Sequence, residues 1–314
     1  MIAHFTGPLS LKMHPAALRD EAAGREKGIK PAGRKEKARG KSGAAIFRLR
    51  PLSDPLYNIR NGTAREAGRL RISGRRKMKR SEINRAIREM EAVCVREHYY
   101  LPPFCHFTPE EWQYKGQEYD EVRDCMLGWD ITDYGMGDFD RTGFSLITIR
   151  NGNRAMTEKY PKVYAEKLLY LKEGQYAPRH FHWFKTEDII NRGGGILLIR
   201  VNLSLPDESA DESSDVSVQC DGRRITVPAG TQIRLKPGES LHIPQRLYHD
   251  FSIEPGTGAV LIGEVSQCND DNADNRFYLP MGRFPTVEED EPPYRLLVNE
   301  YPRSSREGGV HDSE

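Results

Sequence analysis

The sequence predicts an all-β domain, a jelly roll or closed β-barrel, with a few short N-terminal helices packed on its outside. Three observations carry this expectation. From Gly143 onward, short alternating segments recur between Gly, Pro and Asp-Gly turns, the pattern of a barrel or sandwich. Helical periodicity is confined to the region around residues 81–117. Finally, His180 and His182 stand one residue apart, which places both on one face of a strand, whereas a helical pair would need a spacing of four.

In chain order, the first element to justify is the absence of one. The 314 residues carry a net charge of only +1, but residues 1–77 hold 19 Lys and Arg against 6 Asp and Glu, and the remainder holds 28 against 40. Low hydrophobicity with high net charge predicts disorder for residues 1–77, so the chain divides into a basic N-terminal extension, 1–77, and a folded domain, 78–314. A basic arm can bind nucleic acid, but aromatic residues for base stacking are nearly missing, and no nucleic-acid partner is expected. No apolar stretch suited to a secretory signal follows the first residues. Met78-Lys-Arg-Ser81 reads instead as a second natural start, with residues 1–77 an upstream extension.

Ser81 is positioned to cap a helix whose apolar stripe is Ile83, Ile87, Met90 and Val93/Cys94. Thr108-Pro109-Glu110-Glu111 starts a second, short helix running to about Gly116, with Thr at the N-cap, Pro at the first helical position and Glu at the third. Residues 128–142 read as loop. Phe144–Arg150 is a strand followed by an Asn151-Gly152 tight turn, and Val163–Leu171 and Gly195–Leu203 are further strands. Residues 206–215 form an acidic, solvated loop. Val216–Gln219 and Arg224–Val227 flank Asp221-Gly222 as a hairpin, and strands follow at 231–235, 239–243, 248–253 and 258–265. No run of eighteen apolar residues occurs, so no membrane span is expected. The five cysteines are scattered, odd in number and without a Cys-x-x-Cys pair, which predicts free thiols in a reducing cytoplasm.

The chemistry concentrates between Gly174 and Gly194. His180, His182 and Glu187, completed by His249 downstream, make a set of three imidazoles and one carboxylate. That set suits Mn, Fe, Co, Ni or Zn with open positions for a substrate, and suits calcium poorly. His242 is an odd number of residues from His249 and is expected on the opposite face, in a structural role.

These segments resemble the two motifs of the cupin superfamily. The first, G-x5-H-x-H-x4-E-x6-G, is matched by Gly174, His180, His182, Glu187 and Gly194. The second is matched at Gly238, Pro244 and His249, and departs from the pattern at Arg246, where it has Gly, and Ile253, where it has Asn. Residues from about 78 to 303 are similar to the cupin-type D-lyxose isomerases, on the stretches Met78–Asn84, His180–Glu187 and Gly263–Phe277. The resemblance implies one divalent metal ion, typically Mn2+, with Co, Fe or Zn as alternatives. It implies a sugar substrate, interconversion of D-lyxose and D-xylulose with D-mannose and D-fructose as a second pair, and a homodimer, which is also the default for a soluble enzyme.

Aldose–ketose isomerisation moves hydrogen between C1 and C2, and needs a base, an acid and a stabiliser for the charge that develops on the oxygens. Lys185, at the lip of the site, and Glu264, a carboxylate in the otherwise apolar strand Val260–Ser266, are the expected acid/base pair, with the pKa of Lys185 lowered by desolvation and the metal. Asp274 and Arg276 are expected to bind sugar hydroxyls, and Trp183 to wall the sugar's C–H face together with Phe184. Two rivals keep the same fold. A cupin oxygenase using iron or copper needs an apolar pocket and has no use for Lys185, Glu264 or the polar run Asn269–Arg276. A non-catalytic sugar binder gains nothing from an acid/base pair.

Overall fold

A computed structural model of the chain describes residues 76–304. Residues 1–75 fall outside them, and with them the expectations of disorder, of an upstream extension and of a basic arm. The described chain enters through β1 (Met78–Lys79) and α1 (Arg80–Arg96), then passes two short helices, α2 (Pro109–Trp112) and α3 (Asp120–Asp124). Strands follow: β2 (Gly128–Thr132), β3 (Phe144–Arg150), β4 (Tyr164–Leu171), β5 (Ala177–His182), β6 (Glu187–Gly194), β7 (Leu197–Leu203) and β8 (Val216–Cys220). The last are β9 (Arg223–Val227), β10 (Gln232–Leu235), β11 (Ser240–Ile243), β12 (Leu247–Ile253), β13 (Val260–Gln267), β14 (Asn275–Phe277) and β15 (Val287–Glu288). No helix among the described residues is long and apolar enough to cross a membrane.

Two sheets build the body. An eight-stranded sheet has the order β2-β3-β4-β13-β6-β11-β8-β9, and a five-stranded sheet the order β10-β7-β12-β5-β14. Their inner faces share one apolar core, with Leu146, Leu169, Ile189, Leu241 and Ile262 from the first sheet against Leu197, Ile199, Val201, Leu235 and Phe251 from the second. This is the expected jelly roll. The closed barrel is not formed: the two sheets remain separate ladders, because a sandwich buries the inner faces without a hydrogen-bonded seam.

The helices lie outside, as expected. Ile83, Ile87 and Met90 of α1 cover Trp129, Ile131, Ile147, Leu168 and Leu261, the outward side chains of β2, β3, β4 and β13. This second core fixes strand parity. With Trp129 and Ile131 facing α1, Asp130 and Thr132 must face inward, and with Leu168 outward, Lys167 and Leu169 face inward.

Several local expectations need correction. Ser81 does not cap α1. The helix starts at Arg80, its preceding Lys79 N–H bonds the Glu82 carboxylate at 2.9 Å, and Ser81 is held by Asp290, which accepts from both its N–H (2.9 Å) and its hydroxyl (2.7 Å). The pairing of β1 with β15 draws that carboxylate to the helix start. The second helix is shorter than expected, ending at Trp112, though Thr108 caps it through the Glu111 N–H as the sequence suggests. Residues 128–132, expected as loop, are β2, because the polar Asp130 and Thr132 alternate with residues packed under α1. Asn151-Gly152 is not a tight turn. Residues 151–163 connect β3 to β4, and Gly152 is needed for close approach, since a Cβ there would lie 1.8 Å from the Lys162 carbonyl oxygen. The Asp221-Gly222 hairpin is formed, with φ of 49° and 78°, the left-handed pair of a type I′ turn.

Candidate active site and metal centre

The candidate site occupies one end of the sandwich interior, where inward positions change from apolar to charged. Strand β5 supplies His180 and His182, β12 supplies His249, and β6 opens with Glu187. A β-bulge makes the histidine geometry possible. Between the pairs Ala177↔Phe251 and His180↔His249, β5 advances three residues while β12 advances two. The extra residue lets both Ala177 and His180 face inward, which strict alternation would forbid.

The three imidazoles are buried and offer ligand atoms within 4.8 Å of one another. His180 Nδ1 lies 2.8 Å from the Pro178 carbonyl and His249 Nδ1 lies 3.0 Å from the Leu247 carbonyl. A carbonyl can only accept, so each Nδ1–H donates and each Nε2 is left to face the cluster. His249 Nε2 and His182 Nδ1 are fully buried without a hydrogen bond among the described residues. Glu187 lies across the cluster, with Oε2 3.3 Å from His182 Nε2 and Oε1 3.2 Å from His249 Nε2. Burial, then the neighbouring His249 and His182, hold the His180 pKa well below that of a free imidazole, so it is neutral at pH 7. Burial alone would raise the pKa of Glu187, but Lys185 and His182 outweigh it and keep the carboxylate ionised. Buried imidazole nitrogens beside an ionised carboxylate fit a divalent cation, and His180, His182 and His249 form a group able to hold one.

Next to the cluster lies the expected acid/base pair. Lys185 Nζ is 2.9 Å from Glu187 Oε2, 2.6 Å from Glu264 Oε1 and 3.1 Å from Asn269 Oδ1. Two details differ from expectation. Lys185 is not at the lip but 2% exposed. Its pKa is pushed up and not down: burial opposes the ammonium, but Glu187, Glu264 and Asp271 surround it and prevail.

Beside these groups lies a cavity, part of it open to solvent, lined by His180, His182, Lys185, Glu187 and Glu264. Its wall includes Asp271, from the polar run Asn269–Arg276, and three charged groups that no motif marks: Lys167, Arg283 and Asp130. Lys167 stands directly opposite Glu264 in the β4–β13 register, with Nζ 3.0 Å from Asp271 Oδ1 and 2.8 Å from Asn269 Oδ1. Arg283 Nη2 bridges Asp271 Oδ2 (3.1 Å) and Asp130 Oδ2 (3.2 Å). The rule that flagged Glu264, a charge in an apolar strand, flags Lys167 in β4 equally well. For Asp130 and Arg283 no comparable local signal exists.

Three expected sugar contacts do not face the cavity. In β14, Asn275 and Phe277 line it, so Arg276 points out, where it pairs with Glu208 at 2.6 Å. Trp183 also points away, its ring edge on Phe181 and the Arg246 guanidinium over its face. Asp274 is buried but occupied: it accepts the N–H groups of Phe184 (2.6 Å) and Lys185 (3.2 Å), fixing the turn that carries Lys185 inward. Phe184 is exposed, with Arg154 over its ring, and His242 faces outward to Asp188 and Thr186, as its spacing implied.

Fold and site together define a cupin-type jelly roll with a buried histidine cluster able to hold a metal ion beside a lysine–glutamate pair. The chain belongs to the D-lyxose isomerase family, whose model matches residues 78–301. A protein from Serratia proteamaculans named D-lyxose/D-mannose isomerase is 46% identical over 227 residues, 72% of this chain and 99% of the relative. Its namesake from Escherichia coli O157:H7 is 45% identical over 226 residues, 71% of this chain and 98% of the relative. Among solved structures, L-ribose isomerase of Cellulomonas parahominis with L-ribose aligns at a TM-score of 0.45 and 16% identity, covering 68% of this chain and 100% of its own. That of Geodermatophilus obscurus aligns at 0.46 and 16%, with the same coverage.

Proposed function

We propose that the protein is a metal-dependent aldose–ketose isomerase that interconverts D-lyxose and D-xylulose, with D-mannose and D-fructose as a second pair. The observation that carries the reading is the 2.6 Å contact between Lys185 and Glu264 beside the histidine cluster. The names of the two bacterial relatives supply the sugars. The charged groups Lys167, Asp271, Arg283 and Asp130 on the wall support a hydroxylated substrate over one an oxygenase would take, and a binder has no use for the pair.

His180, His182, Glu187 and His249 would hold the metal, for which Mn2+ is the proposed ion. When bound, it would supply Lewis-acid stabilisation of the negative charge that develops on the sugar oxygens. Glu264 is the base, because the ammonium beside it has no lone pair to accept a proton. It takes the proton from C2 of the aldose and returns it to C1. Lys185, held as ammonium between two carboxylates, donates to the sugar oxygens while the O2 proton passes to O1. Burial of both groups excludes water from the transfer. The enzyme is proposed to work as a cytoplasmic homodimer, which sedimentation of the full chain tests for its oligomeric part.

The deciding measurement is turnover of D-lyxose by protein stripped with chelator and resupplied with Mn, Co, Fe or Zn. Activity restored by metal, with the C2 hydrogen of D-lyxose recovered at C1 of D-xylulose, is the expected result. Metal binding without turnover of any pentose or hexose would overturn the isomerase reading.

A further inference from the structure

At the wall farthest along the ion chain from the histidines stands a buried carboxylate that the reaction above does not use. Asp130 lies on β2, the edge strand of the eight-stranded sheet, with β3, β4 and β13 between it and the β6 strand of Glu187. Its parity turns it into the cavity, and it is 1% exposed. Oδ2 accepts from Arg283 Nη2 at 3.2 Å, whereas Oδ1 is buried and accepts from no group among the described residues. The other cation at this end, Lys167, is directed to Asp271 and Asn269. A buried acceptor with no donor is costly, and a ligand that brings a hydroxyl removes that cost.

We propose that Asp130 determines specificity by accepting, through Oδ1, a hydrogen bond from the terminal hydroxyl of the open-chain sugar. The inference rests on the isomerase reading. With C1 and C2 beside Lys185 and Glu264, the series Lys167, Asp271, Arg283, Asp130 leads away from the reacting carbons, so the tail of the sugar extends toward Asp130. Asn275 offers a second bare oxygen, but its backbone pairs with His182, which places it at the reacting end. A site built to bond a hydroxyl rejects an analogue lacking it far more strongly than an apolar pocket rejects a missing methylene.

The test compares kcat/KM for D-lyxose and 5-deoxy-D-lyxose in the metal-loaded wild type, Asp130→Ala and Asp130→Asn. The wild type is expected to prefer D-lyxose by about tenfold or more. Asp130→Ala should bring the two sugars close to parity, while Asp130→Asn, which keeps an oxygen acceptor in place, should retain most of the preference. A purely structural Asp130 would lower both sugars in proportion, and an unchanged preference in the alanine variant overturns the proposal. If alanine prevents folding, Asp130→Leu, with the same branched skeleton and no acceptor, takes its place. A wild type that isomerises neither sugar is a failure of the isomerase reading. Calorimetric titration with D-lyxitol and 5-deoxy-D-lyxitol then gives the same preference from binding alone, and its persistence in Asp130→Ala again overturns the role.

Discussion

The inner face of the eight-stranded sheet is two surfaces carried by the same strands. On β13, Val260 and Ile262 lie in the apolar core, and Glu264, the next inward residue, lies between two lysines. On β4 the change comes between Leu169 and Lys167, and on β6 between Ile189 and Glu187. The apolar end holds the strands in register by burial. The charged end adds little to stability, since buried ion pairs roughly offset their own desolvation. Asp130, His182, His249 and Asn275 each leave a buried polar atom without a hydrogen bond among the described residues at this end. Unsatisfied groups gathered in one place, supported by a well-packed neighbour, are what a binding site requires and a core avoids.

This division can be broken from either side. The largest effect is expected at the centre of the charged end. Glu264→Gln should lower turnover roughly 100- to 10,000-fold, with metal content, read by atomic absorption, unchanged and the fold retained. A variant that loses its fold along with its activity would show that the two surfaces are not separable. At the apolar end, Ile262→Ala should cost about 2–5 kcal/mol in urea unfolding, while turnover per folded molecule stays at the wild-type level.

Acid sharpens the comparison. Burial alone would raise the pKa of Asp271, but Lys167, Arg283 and Lys185 hold it well below the ordinary carboxylate range. The unfolded chain therefore takes up this proton first as pH falls. The stabilisation is complete above the unfolded value, about pH 4, and is lost progressively below it. Asp130 acts in the opposite sense, because burial raises its pKa above that of the unfolded chain. Unfolding free energies between pH 6 and pH 3 should accordingly fall less steeply in Asp271→Asn than in the wild type, and parallel curves would exclude this contribution. The smallest effect is expected outside both surfaces. The Arg234–Glu254 pair is half exposed at 2.5 Å, and Arg234→Ala should cost less than about 1 kcal/mol by the same urea measurement.

The charged end was partly legible in the sequence, and the reason differs residue by residue. His180, His182 and Glu187 announce themselves because strand periodicity fixes side-chain direction over a few residues. Glu264 stands out as a charge in an apolar strand. Arg276 and Trp183 were misplaced because their direction depends on where strand parity begins: β14 starts at Asn275, and the 183–185 turn is set by Asp274, ninety residues downstream. Ser81 was misread because the group that caps α1 arrives from Asp290.

By itself the sequence determined the class of fold, the hairpin at Asp221-Gly222, the histidine pair with its glutamate and the lysine–glutamate pair. All of these rest on local periodicity, turn chemistry or the cost of a charge in an apolar segment. Only the tertiary structure decided that the sheets stay a sandwich, that a bulge before His180 keeps Ala177 and His180 on one face, and that Lys167, Asp271, Arg283 and Asp130 join one chain of charges. Those groups come from β2, β4 and two loops, and sheet register brings them together over separations that no periodicity within a segment can encode.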